Sequence, residues 1–215
     1  MSDVVGPLSG RRAEAARNDE RILDSAREVF LADPGAPISA VAAHAGVGIS
    51  ALYRRYENKE HLLQALARDG LTRFKRELEI ALADTGDAWT SYTECLARVL
   101  EGQSQGLAQR IAGSFSPTPE LTALATETGE LYTRLHRRTQ RAKALRKDVT
   151  TADVVLVLEL LMMVDLGGPD RAKELRRRYL ALVLQSLHTS SSGPIPSVLP
   201  GPPASEAELG ARWTR

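Results

Sequence analysis

Cysteine is almost missing. Cys95 stands alone in 215 residues, so no disulfide can close within the chain, and the histidines, His44, His61, His136 and His188, are scattered without metal-ligand spacing. No stretch approaches the roughly 18 uninterrupted apolar residues that a membrane helix needs. The N-terminus also lacks the apolar core of a secretory signal, and a cytoplasmic protein is the expectation. Aromatic residues make up only 5%, whereas 43% hydrophobic content, mostly leucine and alanine, suits a helical globular protein. Net charge is nearly absent at +1, which removes bulk attraction as an argument for nucleic acid. Residues 1–59 hold eight Arg/Lys and eight Asp/Glu, so any case for DNA must rest on where charges stand. There is no phosphate-binding glycine loop, no pair of carboxylates at catalytic spacing and no nucleophile elbow. No enzymatic activity, cofactor or metal is therefore predicted.

What is present centres on residues 38–59, ISAVAAHAGVGISALYRRYENK. Two short apolar-patterned segments flank Gly46-Val47-Gly48, a connector that permits only a sharp turn between packed helices. Val41, Ala42, Ala45, Val47 and Leu52 have the spacing to lock the two helices together. The small alanines let the second helix lie close and present its other face outward, as a major-groove reader must.

In chain order, residues 1–16 read as a flexible arm bearing Arg11 and Arg12, either a minor-groove contact or a solubilising extension. A helix capped by Asn18 or Asp19 follows to Ala32, with Ile22, Leu23, Ala26, Val29 and Phe30 as its apolar face. After Asp33-Pro34-Gly35, Ser39 is a candidate cap for the second helix and Gly46 its stop. The third helix is predicted over 49–56. A long fourth helix, capped by Asn58, runs to about residue 83, with Leu62, Leu63 and Leu66 serving one core and Leu71, Phe74, Leu78 and Leu82 a second. Further helices are marked by Trp89, Tyr92, Leu96 and Val99; by Leu107, Ala108 and Ile111; and by Leu121, Leu124, Leu131 and Leu135, this last reaching about residue 145. Thr150 to Asp153 resembles a capping box for an almost wholly apolar helix over 154–166. Gly167-Gly168-Pro169 then opens a last helix with two apolar faces, which suggests a partner subunit. Residues 189–215 hold five of the eleven prolines and read as a disordered tail. The domain expectation is an arm at 1–16, a helix-turn-helix domain at 17–64, a helical domain at 65–188 and the tail.

With these residues in place, the stretch 22–66 resembles the DNA-binding domain of the tetracycline-repressor (TetR/AcrR) family, carried by AHAGVGISALYRRYENKEHLL. The shared pattern is an alanine-rich helix, an AGV turn, LY with a basic pair, and a short polar cap with lysine before paired leucines. The resemblance implies an all-α fold, in which a three-helix DNA-binding domain is joined by a long fourth helix to a helical ligand-binding and dimerisation domain. Gly48 departs from the pattern, since many members carry a capping Ser or Thr there.

By matching positions, Tyr53 and Lys59 would contact phosphates and Arg54 bases or phosphates, with direct base readout falling to Arg54 and to Arg55 beside it. Ser50 would reach either, Ile49 or Ala51 would pack on a thymine methyl, and Ser39 would touch a phosphate. An effector site is placed among Phe74, Trp89, Tyr92, Leu96, Phe115, Tyr132, His136, Glu159, Met162 and Met163, residues that core packing alone would also explain. Glu159 and Asp165 in the apolar helix need a partner or an exposed edge. Arg134, Arg137, Arg138, Arg141, Lys143, Arg146 and Lys147 form a run of cations without an intervening acid, either solvated at a helix C-terminus or binding an anion. The resulting expectation is a homodimer, joined through the last two helices. It would repress from a palindromic double-stranded operator and be released by a small-molecule effector; the alternative is a constitutive DNA-binding dimer without an effector.

Overall fold

The computed structural model describes residues 7–102, 111 and 113–189, and every regular element among them is an α-helix. The chain divides between Leu66 and Ala67 into two compact units.

The first unit begins with α1, Pro7–Ala32. This helix starts well before the cap expected at Asn18 or Asp19, so the arm foreseen at 1–16 is helical from Pro7 onward, and Arg11 and Arg12 lie on it. Pro7 has a φ suited to the first helical position, and the Ala-, Arg- and Glu-rich sequence that follows has enough helix propensity to carry the chain past Gly10. Residues 1–6 of the expected arm lie outside the described residues.

Two short helices follow, α2, Ile38–Ala45, and α3, Ile49–Arg55. Pro37, not Ser39, occupies the cap position of α2, and its side chain has no oxygen to bond the first amides. Gly46 ends α2 in the left-handed conformation at φ 65°, and the Val47 amide returns to Ala42 O at 3.0 Å. Ile22, Ala26 and Phe30 of α1, Val41, Ala42 and Ala45 of α2, and Leu52 and Tyr56 are buried. α4, Lys59–Ala83, opens with Asn58 Oδ1 accepting from the His61 amide at 2.9 Å, as its cap requires.

In the second unit α5, Ala88–Glu101, packs on α6, Pro119–Arg141, and on α8, Pro169–Leu187, while α7, Thr151–Met162, packs on α6 and α8. The capping box of α7 is formed: Thr150 Oγ1 accepts from the Asp153 amide at 3.2 Å, and Asp153 Oδ2 accepts from the Thr150 amide at 2.7 Å. α7 stops at Met162 rather than continuing to 166. The chain meets Val164 and Asp165, poor helix formers, then Gly167 and Gly168 at φ 75° and 88°, and Arg176 Nε takes the Val164 carbonyl at 3.1 Å.

α6 likewise ends at Arg141 instead of near 145, because Lys143 turns left-handed at φ 58°. Leu145 then pairs with His188 in an isolated antiparallel bridge, with the Arg146 amide on Leu187 O at 3.1 Å and the Thr189 amide on Ala144 O at 3.2 Å. The loop after α6 is thus tied to the end of α8. Of the helix expected around Leu107, Ala108 and Ile111, only Ile111 is described, and it is buried; Leu107 and Ala108 lie outside the described residues, as do residues 190–215 of the tail.

Candidate functional site

The helix-turn-helix is assembled from main-chain bonds and small side chains. α3 has only seven residues, and its cap, Gly48, offers no side-chain oxygen. Its shape depends on burial of Leu52 and Tyr56 and on the turn behind it. The opposite side of the same helix is free: Ile49, Ser50, Tyr53 and Arg54 are exposed, and none has a side-chain partner among the described residues. Positions 49, 50, 53 and 54 share one helical face, so one apolar group, one hydroxyl, one phenol and one guanidinium project together. Ala51 lies at the border, half-buried, and Ser39 is exposed in the first turn of α2.

Two of the expected DNA contacts are turned toward the protein. Arg55 clasps Asp19 of α1, Nε to Oδ1 at 2.9 Å and Nη2 to Oδ2 at 2.5 Å, and this pairing raises its pKa above the ordinary arginine value. Lys59 Nζ donates to Pro34 O at 3.0 Å and Ala36 O at 2.8 Å and lies 5.1 Å from the centre of the Phe30 ring. Both cations hold the frame behind α3: Arg55 joins α3 to α1, and Lys59 closes the α1–α2 loop. Arg21, which the sequence reading overlooked, donates to Ala45 O at 2.7 Å and so caps the C-terminus of α2. The only sequence signal was a cation one turn into the expected first helix, and it does not say which carbonyl the side chain reaches.

In the second unit most of the expected effector residues do converge. Phe74, Tyr92, Leu96, Tyr132 and Met162 belong to one buried cluster, with Trp89 packed against it. Phe74 and Tyr132 have ring centres 5.8 Å apart, and Trp89 lies 6.2 Å from Tyr92 and 4.5 Å from His188. His136 adjoins both tyrosines, 5.8 Å from Tyr92 and 6.1 Å from Tyr132. Phe115 and Glu159 are buried as well. Met163 does not belong here: it follows the last residue of α7 and is 60% exposed.

The hydrogen bonds among these groups have a fixed direction. His136 Nε2 faces Val149 O at 2.9 Å, and a carbonyl can only accept, so Nε2 carries the proton and Nδ1 is the acceptor. The Tyr92 hydroxyl, 3.0 Å from Nδ1, must therefore donate to it, which leaves its oxygen to accept from Tyr132 OH at 3.3 Å. Burial lowers the His136 pKa, against the opposing pull of Val149 O and Asp153, and raises those of both tyrosines. At neutral pH every member of the chain is therefore neutral. Cys95, in the same core, is pushed up to about 12 by burial and is an inert packing group.

Arg138 reaches out of α6 to the end of α4, with Nη1 donating to Ala81 O at 3.0 Å and Leu82 O at 3.2 Å and Nη2 to Ser91 Oγ at 3.1 Å. This clamp was hidden in a run of cations that looked uniform. Among the described residues no group of three or more side chains could hold a metal, and no helix is long and apolar enough to cross a membrane.

Comparison with known families decides what this arrangement is. The family of bacterial regulatory proteins, tetR family, matches residues 22–66, and the C-terminal domain of SbtR-like transcriptional regulators matches residues 84–189. The chain belongs to the tetR family. As a TetR-family protein it is a DNA-binding, helix-turn-helix transcription regulator and not an enzyme.

Among solved structures, the TetR-like regulator LfrR from Mycobacterium smegmatis, in complex with proflavine, is 26% identical with a TM-score of 0.60 over 84% of this chain and 99% of that one. A TetR transcriptional regulator from Streptomyces coelicolor is 22% identical, with a TM-score of 0.57 over 80% of this chain and 99% of that one. The TetR-family protein CprB from S. coelicolor is 21% identical, with a TM-score of 0.56 over 85% and 94%. The latter two are evidence of shared fold. No curated protein matches the chain. Gly48, where the family pattern often has a capping hydroxyl, leaves the recognition helix of this TetR-family member without a side-chain cap.

Proposed function

We propose that this regulator is a cytoplasmic homodimeric repressor that binds a palindromic operator through two copies of α3 and is released by a small-molecule effector. The observation that carries the reading is the outward face of α3. Ile49, Ser50, Tyr53 and Arg54 stand free on a helix whose other side is buried, with Arg54 as the group suited to bidentate base recognition. Tyr53 and Ser39 supply phosphate contacts, and Arg11 and Arg12 on the N-terminal stretch of α1 add charge for the duplex.

Dimerisation is assigned to α7 and α8 and the turn that joins them. Leu160, Met163, Leu166, Tyr179 and Leu182 are large apolar side chains left 41–65% exposed there, an apolar surface that a second copy would cover. In such a dimer the two recognition helices must meet half-sites about 34 Å apart, or a multiple of that.

The effector is placed in the cluster of Phe74, Trp89, Tyr92, Tyr132 and His136. Tyr92 and Tyr132 are only 0% and 4% exposed, so a ligand that enters must part side chains now in contact. It thereby favours a conformation other than the packed one, as any releasing ligand must. Aromatic rings and a histidine suit a flat aromatic compound, and the proflavine complex of LfrR supports that class.

The test is selection of bound genomic fragments followed by titration. Arg54→Ala is expected to lose discrimination at one base pair, about 1–3 kcal/mol, with an unchanged thermal midpoint. A thermal-shift screen of lipophilic and cationic aromatic compounds should yield one that weakens operator binding. If Arg54→Ala and Tyr53→Ala leave operator affinity intact, α3 is not the reader. If no compound that binds alters affinity, the dimer is constitutive.

A further inference from the structure

The cations at the end of α6 separate into distinct groups once their directions are known. Arg138 is consumed by the clamp on α4, and Arg146 is paired with Asp148, Nε to Oδ1 at 3.0 Å and Nη2 to Oδ2 at 2.7 Å. Arg137, Arg141, Lys143 and Lys147 remain exposed and, with Gln140, line one shallow cavity of about 410 Å³. None of these four side chains has an acidic or hydrogen-bonding partner among the described residues. Two cations at a helix C-terminus would complement its dipole. Four facing one concavity repel each other and leave a positive field there without an internal counterion.

The loop that carries two of them is held rigidly. Gln140 Nε2 donates to Arg146 O and Val149 O, each at 3.0 Å, and the loop's far side is fixed by the Arg146–Leu187 and Thr189–Ala144 bonds and by Thr189 Oγ1 donating to Lys143 O. Lys143 sits at φ 58°, a left-handed position that glycine or asparagine occupies at lower cost. The fold therefore keeps a cation where backbone conformation argues against one. Such anchoring reduces the entropy lost when a ligand binds.

We propose that this cavity binds a small compound carrying two or more phosphate groups, independently of α3 and of the aromatic cluster. Two guanidinium forks and two ammonium groups match the charge and the several oxygens of a diphosphate. A concavity of this size admits a small organic molecule, and its polar, charged lining disfavours a lipophilic one.

The experiment is calorimetric titration of the full chain with inorganic pyrophosphate at about 150 mM salt, where long-range screening is strong. Saturable binding is expected, weakened at least about tenfold in the double variant Arg141→Gln/Lys147→Gln. It should be unchanged in Arg76→Gln/Arg178→Gln, which removes equal charge from exposed positions elsewhere. Lys143→Gly is expected to bind more weakly while raising the thermal midpoint, a combination that misfolding cannot produce. Citrate, with similar charge but no phosphate, should bind at least about tenfold more weakly than pyrophosphate.

Absence of pyrophosphate binding overturns the proposal, as does equal weakening by the control pair. Equal affinity for citrate overturns the phosphate assignment. If pyrophosphate fails to bind but Arg141→Gln/Lys147→Gln lowers the salt dependence of DNA binding, the cations serve the duplex and the proposal is likewise overturned.

Discussion

Replacing Lys59 by methionine separates a structural role from a DNA contact. Methionine keeps most of the side-chain length and loses the ammonium, so the Pro34 and Ala36 carbonyls lose their donor and the Phe30 ring loses its cation. A hydrogen bond from a charged donor contributes about 1.5–3 kcal/mol, and a half-exposed cation over a ring about 0.5–1 kcal/mol. Because one ammonium makes all three contacts, these values do not add, and a total near 2–3 kcal/mol is the reasonable magnitude. In a unit of this size that lowers the midpoint by about 10 °C or more. Both tryptophans lie beyond residue 66, so tryptophan fluorescence would miss the first unit; hydrogen exchange at α1 and α2 amides reports on it directly. Operator titration supplies the second readout. A lost phosphate contact would reduce the slope of log K against log salt by about 0.9, whereas a lost internal tie leaves that slope alone. Unchanged exchange protection together with a reduced slope would refute the structural assignment.

Tyr92→Phe removes the donor to His136 Nδ1 and the acceptor for Tyr132 OH in a fully buried position, and should cost about 1–3 kcal/mol in urea denaturation; a loss below about 0.5 kcal/mol would argue that these bonds are not made. The lowered His136 pKa means that the unfolded chain binds the proton more readily, so stability is full above about pH 6.5 and falls as pH drops below it, by at most about 1.4 kcal/mol per unit. His136→Phe should be less stable at pH 7 but show a flatter decline between pH 7 and 5, and parallel profiles would exclude His136 as the source. Gly48→Ser gives α3 a capping oxygen at φ −65°, with nothing within 4 Å of the new Cβ, and should raise stability by about 0.5 kcal/mol in a melting curve; a lower midpoint would show that the cap cannot form.

Much of this architecture was legible in the sequence because it depends on local chemistry. The AGV turn, the Gly46 stop, the Asn58 cap and the Thr150–Asp153 capping box are short-range patterns, and each has the geometry its residues imply. The aromatic cluster was legible in part: helical spacing put Trp89 and Tyr92 on one face of their helix, whereas Tyr132 stands beside the leucines read as the face of its own. The ends of α6 and α7 were not. A lysine in the left-handed region gives no sequence signal, and α7 closes through Arg176, which lies beyond the next turn. Long cations were the least legible: Arg55, Lys59 and Arg138 each find carbonyls or carboxylates tens of residues away. Composition places such a charge on the chain, but only the packed fold decides whether it points outward.

The proposed role of α3, a seven-residue helix without a side-chain cap, has a consequence for how such a protein would change its address in a genome. Its inward residues, Leu52 and Tyr56, hold it in place, while Ile49, Ser50, Tyr53 and Arg54 make no side-chain bond to the rest of the described chain. If α3 reads the operator as proposed, substitution at those four positions would change the target sequence with little penalty to folding. A duplicated copy could drift to a new target one residue at a time, with no compensating change in the core.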